Sequence, residues 1–356
     1  MALKVETILA NITVGQYAGQ GQARTSIESI ANAARAIEEL GFDGLTTPET
    51  GHDPFIPLVI AAEHTSRVTL GTNVAIAFPR SPMVVAQTAW DLQDMSGGRF
   101  RVGLGTQVKG HNERRYSTPW TGPAGPRMRE YVQCLQAIFQ TFQNPGAPQY
   151  FEGEHYRFTM MPPFFNPGPI EHGRVPVYIS GLNPYMARLA GELCDGLRLH
   201  PLATLPFTKE VVLPAIEAGA TKAGRKASDV DLVGSPFIVT GKDEGEIEAA
   251  KRATKQMIAF YASTRTYHSV LEFHGWAEAG RRLHQLSIEG KWGEMMGVVT
   301  DEMLAEFAVI APYDELASRL KERWGSLLTT LFLGLPPGSQ EAADIVPSII
   351  ESLHRG

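Results

Sequence analysis

The sequence predicts an α/β protein, a (β/α)8 TIM barrel, and three observations carry that prediction. Apolar, β-branched runs alternate with amphipathic helical stretches along almost the whole chain. Those runs begin near residues 3, 42, 68, 100, 175, 195, 230 and 327, which counts eight strands. The segment from Arg67 to Gly105 is a readable βαβ unit of strand, break, helix, turn and strand. Eight alternating units favour a closed barrel over a doubly wound sheet. A length of 356 residues suits one such domain over 1–356, or two medium ones.

Leu3 to Ala10 reads as the first strand, followed by a Gly/Gln-rich loop. Thr25-Ser26-Ile27-Glu28 has capping-box spacing, and Ile27, Ile30, Ala34 and Ile37 give the following helix one apolar face. Phe42 to Thr47 is the second strand, and Pro54 to Thr65 a short helix. Val68 to Phe78 reads as one strand buried on both faces. Ser81 then caps a helix with Pro82 in its first position, and Val85, Ala89, Leu92 and Met95 make its stripe. Ser96 to Arg99 turns into the fourth strand, Phe100 to Leu104.

An insertion of about 106–174 follows, with one clear helix near 127–142. It is too long for a simple connection and fits a lid or wall. Alternation resumes with strands Val175 to Ser180, Asp195 to Leu199 and Val230 to Thr240, each followed by a helix. A second insertion, about 263–310, is rich in aromatic residues and histidine. A helix from about 313 to 324 and strand Leu327 to Leu333 complete the count.

Composition is that of an ordinary soluble enzyme, 43% apolar and 20% charged, and a net charge of −6 argues against nucleic acid as a partner. No apolar run is long enough to span a membrane, and no signal-peptide pattern begins the chain. Cys134 and Cys194 fall in predicted helices and read as free thiols in a reducing cytoplasm. No metal-ligand spacing, Gly-x-Ser-x-Gly elbow or phosphate-binding GxxxxGK[ST] loop occurs.

In a barrel of this kind the chemistry lies in the loops after the strands. After the second strand, Glu49 and His52 have no evident structural duty, whereas Asp53 suits a helix cap. After the fourth come Thr106 and Gln107, then the basic residues Lys109, His111, Arg114 and Arg115. Gly181, Leu182 and Asn183 precede a capped helix carrying Met186, a possible phosphate site. His200 ends the sixth strand at the same mouth. Phe164, Phe165, Tyr261, Tyr267 and Trp276 offer an apolar substrate wall, or plain core.

Thr65 to Thr72, Arg80-Ser81-Pro82, Asp94 to Phe100 and Gly103-Leu104-Gly105 resemble the luciferase-like monooxygenase superfamily. Val177 to Gly181, Leu189 to Glu192 and Asp195-Gly196 resemble its fifth and sixth strands. Pro48-Glu49-Thr50, Asp53-Pro54-Phe55 and Phe260 to Thr264 look most like the actinobacterial coenzyme F420-dependent oxidoreductases. The resemblance implies a barrel of the bacterial-luciferase-like type, usually a homodimer, with a flavin or deazaflavin at its mouth. It implies a non-prolyl cis peptide at Asn73–Val74 backing the ring, and a cofactor phosphate near Gly181, Leu182 and Asn183. The expected cofactor contacts are Asn73, Val74, Thr106, Gln107, Gly181, Leu182, Asn183, Met186 and His200.

Two departures stand out. Pro48 and Glu49 occupy the places of the Asp-His pair common in such relatives, and Val108 that of a glutamate. Glu49 or His52 is therefore the expected acid–base catalyst. The function expected is hydride transfer between the deazaflavin C5 and a small organic substrate. A monooxygenase using reduced FMN and a flavin-binding protein without turnover are the alternatives.

Overall fold

Eight parallel strands close on themselves. They are β1 Lys4–Ile8, β2 Gly44–Thr47, β3 Thr69–Thr72, β4 Phe100–Gly105, β5 Val177–Gly181, β6 Gly196–Leu199, β7 Asp231–Gly234 and β8 Thr330–Phe332. The sheet runs in chain order from β1 to β8, and β8 returns to β1 with Val5 opposite Leu331. This is the expected (β/α)8 barrel, seen in a computed structural model that describes residues 2–9, 26–334 and 340–355. Ala10, the Gly/Gln-rich loop and Thr25 lie outside those residues.

Local chemistry explains most element boundaries. Helix Ile27–Glu39 is capped by Ser26, whose hydroxyl accepts from the Ser29 N–H at 3.1 Å, and Ser26 and Ser29 form a capping box. Ile30, Ala34 and Ile37 are buried as expected; Ile27, in the first turn, is 71% exposed. Ser81 accepts from Val84 and Pro82 opens helix Pro82–Met95. Its buried stripe adds Trp90 and Gln93, while Met95 in the last turn points outward. Gly98 then turns at a φ of +85°, where a Cβ would press on the His172 ring.

Two expected strands are interrupted. Val68 to Phe78 is β3 plus a separate pair, Ala75–Ile76, with a cis peptide between Asn73 and Val74. Val230 to Thr240 is β7 plus Phe237–Val239, and the latter pairs in parallel with Ala308–Ile310 from the second insertion. Periodicity alone did not separate these pieces, because all are apolar.

The barrel interior holds charged and polar side chains. Glu6 of β1 and Arg198 of β6 form an ion pair with both side chains about 4% exposed. Beneath them the Tyr178 hydroxyl donates to Asp231 at 2.8 Å, and Arg101 lies 3.5 Å from the same carboxylate. Each such residue alternates with apolar neighbours on a buried strand. That places it toward the barrel axis rather than toward the helices.

Candidate functional site

The loop after β2 is tied to the loop after β3 by one carboxylate. Glu49 Oε2 accepts from the Ile76 N–H at 2.7 Å and from Arg80 at 2.6 Å, and Glu49 Oε1 accepts from the Tyr116 hydroxyl at 3.1 Å. Its own N–H donates to the Val74 carbonyl at 3.3 Å. Only 5% of the side chain is exposed. Asp53 fulfils the capping duty expected of it, accepting from the Phe55 and Ile56 N–H groups, and it also holds Arg80 at 3.0 Å. His52 is exposed on the same loop. A cavity of about 230 Å³ lies here, walled by Glu49, Thr50, His52, Arg80 and Tyr116.

The segment after β3 carries the cis bond at Asn73–Val74, the position the resemblance implied. It is pinned on both sides: Asn73 N–H to Thr47 O at 2.8 Å and Ala77 N–H to Gly105 O at 2.9 Å. The Thr72 hydroxyl bridges to β4, donating to Gly103 O at 2.6 Å and accepting from its N–H at 2.9 Å. Gly105 lies against Val74 so closely that a Cβ would come within 2.6 Å of Val74 Cγ2. Next, Gln107 adopts a φ of +54° and its side chain accepts from the Val108 N–H. The Thr106 carbonyl is held by buried Asn112 at 3.0 Å. Of the basic residues beyond, Lys109 lies 3.9 Å from Glu113 on a short helical turn, and Arg115 covers the Tyr116 ring.

After β5, Asn183 caps helix Pro184–Leu193 by accepting from the Met186 N–H at 2.9 Å. Pro184 has no N–H, and that of Met186 is taken by the cap. Of the first three helical positions, Tyr185 alone keeps an unused N–H among the described residues. The side chains of Leu182 and Met186 are buried, with Gly181 pressed against Met186. An anion here would meet backbone rather than side chains.

His200 follows β6 directly. Its ring stacks on Tyr267 at 4.0 Å and meets the edge of Tyr261 at 4.7 Å. The Leu202 N–H donates to Nδ1 at 3.2 Å, which fixes the ring proton on Nε2. Burial lowers its pKa to about 3, so the ring is neutral. Burial likewise pushes Tyr267 up to about 12. Phe237 adjoins Tyr261 at 6.3 Å. The fold thus gathers His200, Tyr261 and Tyr267 from distant segments.

Other expected residues lie elsewhere. Trp276 stacks on His274 and packs against Phe307, and His274 Nε2 sits 2.8 Å from the Thr204 hydroxyl. Phe164 is 91% exposed on a short turn and touches Phe165. A groove of about 1280 Å³ lies near the amino ends of β5 and β6, at Val175, Val177 and Asp195, opposite the functional loops. Among the described residues, Glu130, Glu154 and His155 are close enough to bind a metal, but Glu130 already accepts the Glu154, His155 and Tyr156 N–H groups. Both cysteines are free and buried. No helix among the described residues is long and apolar enough to cross a membrane.

Sequence reading missed the roles of Arg80, Tyr116 and Asn112. No short motif marks them, since they act on partners between 4 and 67 positions away.

Residues 7–330 match the luciferase-like monooxygenase family. The chain belongs to it. The chain is 43% identical over 321 residues to an uncharacterized protein of Mycobacterium tuberculosis, covering 90% of this chain and 94% of that one. It is 30% identical over 318 residues to a 5,10-methylenetetrahydromethanopterin reductase of Archaeoglobus fulgidus, covering 87% and 90%. Among solved structures, it resembles the coenzyme F420 dependent tetrahydromethanopterin reductase from Methanopyrus kandleri. That likeness has a TM-score of 0.75 at 22% identity over 99% of each chain, and it shows the shared barrel. This family member is an oxidoreductase.

Proposed function

We propose that the protein binds coenzyme F420 at the carboxyl ends of the strands and moves hydride between the deazaflavin C5 and a small organic substrate. The family match joined to a barrel mouth whose charges are paired carries this reading. His200 is neutral between two tyrosines, and the Glu49 and Arg80 charges offset one another. Such a mouth suits a neutral tricyclic ring, with the ring supplying the redox chemistry when bound. The relatives with F420-linked or methylenetetrahydromethanopterin chemistry favour the deazaflavin over FMN.

The chain's own residues bind and orient. Asn73 and Val74, seated on Gly105, would back the ring, with Thr106 and Gln107 at its rim. Gly181, Leu182, Asn183 and the first turn carrying Met186 would meet the phosphate through backbone groups. Glu49 serves as a brace, since its oxygens already accept three hydrogen bonds. His52, exposed on the same loop, would then be the proton donor or acceptor.

The test is paired. Reduced F420 with a broad substrate panel under anaerobic conditions should be oxidised, and reduced FMN with oxygen should show no substrate-dependent oxygen uptake. The opposite result would assign the protein to the monooxygenases. The homodimer implied by the family resemblance is checked by sedimentation equilibrium.

A further inference from the structure

The pair formed by His200 and Tyr267 has more than packing to offer. Neither His200 Nε2 nor the Tyr267 hydroxyl has a hydrogen-bond partner among the described residues. Neither is one of the enclosed polar atoms lacking a partner, which include Thr50 Oγ1, Asn112 Oδ1 and His268 Nε2. Both heads are therefore accessible among the described residues, and the two rings pack on one another at 4.0 Å. A polar head that is exposed to a cavity on a buried aromatic body is the usual way a pocket fixes an oriented ligand.

The tautomer decides what the pair can do. With Nδ1 committed to the Leu202 N–H, the neutral imidazole presents a donor at Nε2. The Tyr267 hydroxyl, still protonated at neutral pH, is a second donor on the stacked ring. No hydrogen bond or ion pair among the described residues joins either head to an ionised side chain. A carboxylate or phosphate would find no cation there, and a cationic imine no anion. An uncharged oxygen acceptor fits.

We propose that His200 Nε2–H and the Tyr267 hydroxyl are paired donors to the oxygen of an uncharged carbonyl or alcohol substrate. This rests on the functional reading above, in which the mouth holds the redox ring. Donors aimed at that oxygen strengthen as negative charge builds on it, so the pair would assist hydride addition at the adjacent carbon. Tyr261, at the edge of His200, would keep the imidazole from turning away.

Isobutyramide is a suitable probe, being an unreactive neutral carbonyl, with isobutyrate as its anionic counterpart. Binding of each is followed in the full-length protein, with and without F420, by the 15N shifts of the labelled His200 ring. The proposal expects the amide to bind better than the carboxylate and to shift Nε2 more than Nδ1. Tyr267→Phe should weaken the amide about tenfold, with F420 affinity changed less than about twofold. His200→Gln, which keeps an N–H donor, should retain more amide affinity than His200→Leu. Preference for isobutyrate, or amide affinity unmoved by Tyr267→Phe, would overturn the proposal. Failure to bind F420 in the direct titration would instead strike the functional reading, and the free-protein shifts would still judge the donor pair.

Discussion

Glu49 shows how a carboxylate beside a binding site can be fully occupied. It holds the Ile76 N–H, Arg80 and the Tyr116 hydroxyl, linking three loops of the barrel mouth. Glu49→Gln replaces an acceptor by an amide donor against Arg80 or Ile76, and should cost roughly 2 kcal/mol in urea unfolding. A change below about 0.5 kcal/mol would mean that the brace contributes little. His200 gives a pH signature. Its folded pKa of about 3 lies below the ordinary 6.5, so between those values the unfolded chain takes up a proton that the fold refuses. Stability is then complete above about pH 6.5 and falls as pH drops toward 3. His200→Gln should flatten that loss by roughly 1–2 kcal/mol between about pH 7 and about pH 5, read from urea midpoints. Sequence could nominate Glu49 and His200 by position after a strand. It could not show that one is saturated and the other open, because their partners lie in other loops.

At the scale of elements, helix Ala124–Gln143 is clamped to helix Pro184–Leu193 by a two-pronged ion pair. Arg129 Nη1 and Nη2 meet the two Glu192 oxygens at 2.7 and 2.8 Å, and Lys222 joins at 3.0 Å. Arg129 above all holds the Glu192 carboxyl down at about 2. The folded pKa is depressed, so this clamp stabilises above the ordinary value of 4.5 and is lost as pH falls toward 2. Glu192→Gln should remove about 1–3 kcal/mol at neutral pH and flatten the acid limb of the stability curve. An acid limb identical to wild type would refute the clamp. The join of β3 to β4 makes a second prediction. A Cβ on Gly103 would stand 2.0 Å from the Thr72 carbonyl oxygen, so Gly103→Ala should cost at least about 2 kcal/mol in thermal or urea unfolding.

Across the whole molecule, the barrel was legible because each strand is a short apolar run bounded by Gly, Pro or a cap, and the helices between carry clean stripes. The breaks at Asn73–Val74 and after Gly234 were not legible as changes of pattern. Pairing with Gly105 and with Ala308–Ile310 sets them, and that is a long-range fact. The buried Glu6–Arg198 pair had a faint signal, a charge in the middle of each strand. Breaking it from one side should be severe, since the remaining charge is buried without its partner. The central claim is that this mouth takes a deazaflavin. The most direct measurement is a pair of equilibrium titrations of the purified protein with coenzyme F420 and with FMN, followed by fluorescence and absorbance. Micromolar or tighter binding of F420, with FMN at least about tenfold weaker, is the predicted result. Preference for FMN, or binding of neither, would contradict it.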